Sequence, residues 1–207
     1  MREGELVTGG LRGAAGIEDE TTVLVLAPDV GERSVDACVA VLDGLGERID
    51  RAVPVTVSLA PAEWLSVWER DSGAEGALAA CVDVDRTTRS VAGAGAAEGA
   101  VPVERVGDPT NLETLGRRVS DVLQRVDDAG DSVGVVVHSL TDLVRHVDEP
   151  TAFKFVYTLG EVARRVDGVV LFHLDPTAHD DETIETFRIV CDAVVDASRG
   201  RRGPVGG

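Results

Sequence analysis

The sequence predicts an α/β protein built on a doubly wound, mostly parallel sheet. Three observations carry that prediction. Short apolar, β-branched runs alternate along the chain with longer segments whose apolar residues recur at helical spacing. Two of the runs, residues 133–137 (VGVVV) and 168–172 (GVVLF), are apolar almost without interruption, as strands covered on both faces are. A hydrophobic content of 43% over 207 residues suits one ordinary core, and no run approaches the roughly 18 residues of a membrane span.

Taken in order, residues 1–20 are polar and acidic and read as a flexible leader, with neither a signal-peptide nor a transit-peptide pattern. Residues 22–27 (TVLVLA) form the first strand, and a Pro28-Asp29-Val30-Gly31 turn follows. Ser34 is expected to cap a helix with Val35, Cys38, Val39, Leu42 and Leu45 on its inner face. Residues 53–59 give the second strand. Pro61 then fits the first turn of a helix bearing Trp64, Leu65 and Trp68. The tryptophans sit at i, i+4 and are expected to pack together at the core edge rather than stack on a cofactor.

Residues 78–84 read as a short strand. Residues 90–100 (SVAGAGAAEGA) carry almost no large side chain and read as a flexible loop. Another strand is expected over 101–106, and Thr110-x-x-Glu113 has the spacing of a capping box. The helix it opens shows an amphipathic stripe of Leu112, Leu115, Val119, Val122 and Val126. After the VGVVV strand, residues 151–166 predict a helix with Phe153, Val156, Leu159 and Val162 inward. The GVVLF strand leads to a short helix over 181–189 and a last strand over 193–197. Residues 21–198 are thus expected to form one domain, with a disordered Gly/Arg tail over 199–207.

Acidic side chains number 37 against 20 basic, a formal net charge of −17. That excess repels phosphate backbones and argues against general nucleic-acid binding or an anionic membrane surface. Lys154 is the one lysine; every other basic residue is arginine. This acid-rich, lysine-poor composition resembles proteins of halophilic archaea, in whose molar salt the Debye length falls to about 3 Å. An acidic protein of an ordinary cytosol is the alternative. Cys38, Cys81 and Cys191 form no C-x-x-C and read as small buried apolar residues of a reducing, cytoplasmic compartment.

Ligands of open parallel sheets bind beyond the carboxyl ends of the strands. The polar residues expected there are Asp29, Ser58, then His138, Ser139 and Thr141, then His173, Asp175, His179 and Asp180. All the histidines except His146 fall near this rim. The string His173-x-Asp175-x-x-x-His179-Asp180 offers imidazole and carboxylate ligands to a divalent metal, with His173, Asp175 and His179 the leading candidates and His138 nearby. The spacing matches no zinc signature. The plainer reading makes Asp175-Pro176 a turn, Asp180 a helix N-cap and the histidines hydrogen-bond partners of the backbone. Ser139 beside His138 lacks a G-x-S-x-G elbow, and neighbours on a strand point to opposite faces, so a hydrolase triad is not expected.

The series of elements over 22–197 resembles the KaiC branch of the RecA-like P-loop ATPases, which implies a three-layer α/β/α sandwich. The resemblance also marks what differs. The family's first strand enters G-x-x-x-x-G-K-[ST], whose amides and lysine hold phosphates. Here the stretch is APDVGERSVDAC, leaving Asp29, Gly31, Arg33 and Ser34 at a P-loop position without the Gly-Lys pair. The family's second strand ends in catalytic glutamate, where this chain has Leu59 and Ala60. Its Walker B aspartate corresponds to His138 in V-V-V-H-S-L-T. Stabilising phosphoryl-transfer charge is nearly all of this catalysis, so three such departures predict a domain without conventional ATP hydrolysis.

More narrowly, the chain resembles a haloarchaeal family of uncharacterised RecA/KaiC-like domains. The residues concerned are Ser34-Val35-Asp36-Ala37-Cys38, Trp64-x-x-x-Trp68, Gly107-Asp108-Pro109-Thr110-Asn111-Leu112, His138-Ser139-Leu140-Thr141 and His173-x-Asp175-Pro176-x-Ala178-His179-Asp180. The expected function is a non-catalytic regulatory or signalling module that acts through a protein partner or self-association. The alternative is a sensor, or a metal-assisted enzyme, taking a divalent metal or a nucleotide at the rim cluster.

Overall fold

The computed structural model describes residues 5–7, 21–71, 78–84 and 101–198. In chain order its elements are β1 (Glu5–Val7), β2 (Thr22–Leu26), α1 (Arg33–Gly44), β3 (Arg51–Val57), α2 (Pro61–Asp71), β4 (Cys81–Val84) and β5 (Val103–Val106). They continue with α3 (Leu112–Asp128), β6 (Val133–His138), α4 (Leu140–Leu143), α5 (Glu149–Arg164), β7 (Val169–Leu174), α6 (Asp181–Val190) and β8 (Ala193–Asp196). The strands make one eight-stranded sheet in the order β1-β8-β2-β7-β6-β3-β4-β5. Every pairing is parallel.

The apolar runs explain themselves once the two faces are separated. Side chains alternate along a strand, so each central strand feeds two cores. Leu24, Val53, Val55, Val135, Val137, Val170 and Phe172 pack on one side with residues of α3, α5 and α6. Val23, Val25, Val136, Val169 and Leu171 pack on the other with Val35, Cys38 and Leu42 of α1 and Trp64 and Trp68 of α2. The chain runs outward from β2 to β3 and β4 with helices on one face, then returns through β6, β7 and β8 with helices on the other. This is the expected doubly wound, three-layer architecture. Gly134 admits α1 to the sheet: a Cβ there would stand 2.8 Å from Leu42 Cδ2. No described helix is long and apolar enough to cross a membrane.

Local departures from the sequence reading have simple causes. Ser34 does not cap α1; it lies inside the helix, fully buried, because its hydroxyl is taken by side chains of the rim. The N-cap of α3 is Asn111, whose side chain accepts from the Thr114 amide, while Thr110 closes a turn on Asp108. An asparagine carboxamide competes for the cap as well as a threonine hydroxyl does. In α5 the helix begins earlier, at Glu149, with Asp148 as cap, and Phe155 is buried while Phe153 is half-buried. Three residues of the acidic leader form β1 along β8. The rest of the leader, the Gly/Ala loop at 90–100 and the tail at 199–207 lie outside the described residues. Leu78 touches the sheet only as an isolated bridge to Ala52, and β4 proper begins at Cys81, between β3 and β5.

Candidate functional site

Register sets the centre of the rim. Val137 of β6 pairs with Phe172 of β7, so the next residues, His138 and His173, are neighbours across adjacent strands. Both have the parity of Val136 and Leu171 and therefore face α1. Adjacent strands lie about 4.8 Å apart, and the two imidazoles stack at nearly that spacing, with centroids 4.5 Å apart and planes 7° from parallel. Their relative exposures are 2% and 0%, so the stack belongs to the core rather than to an open cleft.

Hydrogen-bond accounting fixes the protons. His173 Nε2 lies 2.9 Å from the Ala27 carbonyl, so it must donate. Ser34 Oγ is 2.9 Å from Asp29 Oδ1 and 3.0 Å from His138 Nε2. The hydroxyl has one proton, which goes to the carboxylate, so His138 Nε2–H donates to Ser34. A chain of donors thus runs from His138 through Ser34 to Asp29. Each Nδ1 is left without a proton, buried and with no hydrogen-bond partner in another described residue. Burial, reinforced by His173, pushes the His138 imidazole far below its usual pKa, and burial lowers His173 as well. Both rings are neutral near pH 7. The dry surroundings move the charge change of His138 into the acid range.

The loop between β2 and α1 carries the other P-loop-position residues. Gly31 takes φ +61°, Arg33 opens α1 on the exposed side, and Asp29 is the acid that acts on both imidazoles. Asp29, Glu32 and Asp36 are acids grouped at the start of α1, where a helix favours negative charge.

A second cluster is built on α4. Thr141 Oγ1 accepts from the Asp175 amide at 2.9 Å and lies 3.1 Å from His179 Nε2. Asp175 Oδ1 accepts from the Thr177 amide and hydroxyl, which, with the Asp29 amide, hold its carboxyl below the usual range against the opposing effect of burial. Asp180 caps α6 through the Thr183 amide, as expected. The side chains of the H-x-D-x-x-x-H-D string therefore go to four different residues, and His173, Asp175 and His179 do not converge. Among the described residues, no three His, Cys, Asp or Glu side chains are placed to hold a metal ion.

Ser139 turns away from His138. It caps α4, accepting from the Asp142 amide, and donates to Asp142 Oδ2 at 3.2 Å. Asp142 is the residue that sequence reasoning missed. It is a 7% exposed acid whose pKa burial raises, paired at 2.6 Å with Arg145. The signal was present, since Ser139-x-x-Asp142 has the spacing of a cap and its reciprocal acid. His146, set apart by the sequence reading, acts on the Asp142 carboxyl.

Comparison with known proteins fits this geometry. Residues 21–197 match DUF7504, a family of unknown function. No curated protein matches the chain. Among solved structures, an ATPase of the type III secretion system of pathogenic bacteria aligns at 13% identity with a TM-score of 0.56, over 91% of this chain and 56% of that one. The flagellar accessory protein FlaH from Methanocaldococcus jannaschii aligns at 10% identity with a TM-score of 0.49, over 85% of this chain and 70% of that one. The chain spans little more than half the length of the secretion ATPase. At such identities the likeness is one of fold, and that fold is RecA-like.

Proposed function

We propose that this chain, which belongs to the DUF7504 family of unknown function, is a non-catalytic RecA-like module that regulates or signals through a protein partner or a second copy of itself. The observation that carries the reading is the His138–His173 stack and its closure by Ser34. A phosphoryl-transfer site of this fold needs a cation at the phosphates and a carboxylate to support magnesium. Here the β6 strand end supplies a neutral, buried imidazole already bonded to α1. The α1 N-terminus, where phosphates would sit, is flanked by the carboxylates of Asp29, Glu32 and Asp36. The end of β3 continues into Ser58, Leu59 and Ala60, so neither Leu59 nor Ala60 supplies a carboxylate at the strand end.

The acidic, arginine-based composition supports a salt-rich, archaeal cytoplasm as the setting. A metal-binding sensor finds little support, because the candidate ligands are directed to separate partners. The Nδ1 lone pairs of the two histidines lend a nucleotide sensor no support, because they are buried in the core out of a ligand's reach.

The test pairs phosphate release with thermal stability in molar potassium chloride, using ATP, ADP and GTP with magnesium, then zinc and manganese alone. A ligand at a hundred times its dissociation constant adds about 2.7 kcal/mol, a shift of several degrees for a domain of this size. The expected result is no turnover and no shift. Phosphate release that is lost in a Ser34→Ala variant would overturn the reading, and nucleotide stabilisation without turnover would replace it with the sensor.

A further inference from the structure

The groove between α3 and α5 lies on the sheet face opposite the histidine stack. It encloses about 500 Å³ and is floored by Leu112, Gly116, Phe155, Leu159 and Val162. Gly116 is the informative residue. A glycine inside a helix costs roughly 0.5–1 kcal/mol relative to alanine. The other glycine inside a long helix, Gly160, is required, because a Cβ there would stand 2.5 Å from Thr22. At Gly116 a Cβ would meet nothing nearer than Phe155 at 3.9 Å, ordinary contact. Packing among the described residues does not ask for glycine at this position. What its missing side chain does is deepen the groove.

The rim of the groove is cationic in a strongly acidic chain. Arg117 from α3 and Lys154 from α5 are both exposed and line it, against the single acid Glu113. At molar salt the Debye length is about 3 Å, so acids elsewhere on the molecule are screened and these cations act on groups in direct contact with them. The lining runs from Leu112 to Ser120 on α3 and from Thr151 to Val162 on α5. At 1.5 Å per residue these are roughly 12 and 16 Å, the length of a two- to three-turn helix. An apolar floor with a cation contributed by each bounding helix complements an apolar stripe flanked on both sides by acids.

We propose that the α3–α5 groove docks an amphipathic helix of a partner protein, with acidic residues on either side of its apolar stripe. This rests on the reading of the chain as an interaction module. The apolar anchors would enter over Gly116 and Phe155, and the acids would meet Arg117 and Lys154.

The probe is a synthetic helix about 16 residues long, with leucines at i, i+3, i+4 and i+7 flanked by glutamates, and a twin with lysines in place of the glutamates. Binding to the full chain is followed by fluorescence anisotropy and by amide chemical shifts. The acidic peptide should bind and move resonances of α3 and α5, while the lysine twin should not. Gly116→Leu, which puts a side chain into the groove, should weaken binding about tenfold, as should Lys154→Glu. Circular dichroism on both variants shows that they fold. No binding of the acidic peptide, equal binding of both peptides, or shifts away from the groove overturns the proposal. Preferential binding of decanoate points to a small amphipathic acid, and a concentration-dependent dimer abolished by Gly116→Leu points to a second copy; either one also overturns it. ATP turnover measured on the same samples tests the parent reading separately.

Discussion

The imidazoles of His138 and His173 lie face to face, 4.5 Å between centroids, each giving its Nε2 proton to a fixed acceptor and neither offered one at Nδ1. Two rings so close and so dry cannot both be charged.

Acid should therefore loosen this fold earlier than carboxylate titration alone would. Both imidazoles have folded-state pKa values below the roughly 6.5 of an unfolded chain. Below that pH the unfolded state binds protons that the native state refuses, so stability falls as pH falls from about 6.5 toward the folded-state values. Asp29 faces both rings, and Asp142 and Asp175 face His173; they moderate the effect without reversing it. His138, lowered to about 3, should account for about 1–2 kcal/mol between pH 7 and pH 5, and His173 adds to the loss in the same direction. His138→Phe keeps an aromatic face and removes one titration. Urea denaturation at the two pH values should show a smaller loss in that variant, and an unchanged loss would mean the ring does not titrate as described.

The two helix glycines should respond with opposite sign. Gly160→Ala drives a Cβ to 2.5 Å from Thr22, which is buried and exchanges four hydrogen bonds with Asp192. Arg164 completes that network at 2.8 Å. Overpacking there should cost about 1–3 kcal/mol. Gly116→Ala meets only Phe155, at an ordinary 3.9 Å, and should gain about 0.5–1 kcal/mol from helix propensity. Thermal denaturation of the pair decides this. A destabilised Gly116→Ala would show that the helix needs glycine for a reason that the packing does not reveal.

Much of this architecture was legible because strand parity and burial leave few choices. VGVVV and GVVLF read as two-sided strands, and both became the centre of the sheet. What the sequence could not give was register. His138 and His173 each sit at a strand end, but their pairing depends on Val137 lying opposite Phe172, a long-range fact. The same limit hid the fate of Ser34, which looks like a cap until His138 and Asp29 converge on its hydroxyl. Asp180 was legible because a helix cap is local. The H-x-D-x-x-x-H-D spacing suggested ligands, yet a turn at Asp175 sends its side chains to different partners.

Ser139 should behave as a cap and nothing more. It holds the first turn of α4 by accepting from the Asp142 amide at 3.1 Å. Ser139→Ala should cost about 1 kcal/mol, the usual value of a lost cap, measured as a lower urea midpoint with an unchanged slope. A fluorophosphonate probe for activated serine should leave the wild-type chain unlabelled. Labelling at Ser139 would revive the hydrolase reading.

The thiols report on the two cores independently of any ligand. Cys38, Cys81 and Cys191 are free and buried. Burial, with help from Asp83, pushes the Cys81 pKa up to about 12. Burial raises Cys38 and Cys191 further still, helped by Asp29 and Asp192 respectively. The thiolate is the reactive species, so at pH 8 the native chain presents almost none of it. Ellman's reagent should modify well under one thiol per chain in the native state and all three after denaturation. Cys38 faces the α1 core and Cys191 the opposite one. Mapping which is modified first under mild denaturant therefore tells which face opens first. Rapid modification of Cys38 in native buffer would mean that α1 lifts from the sheet, and with it the Ser34 bond that closes the histidine stack.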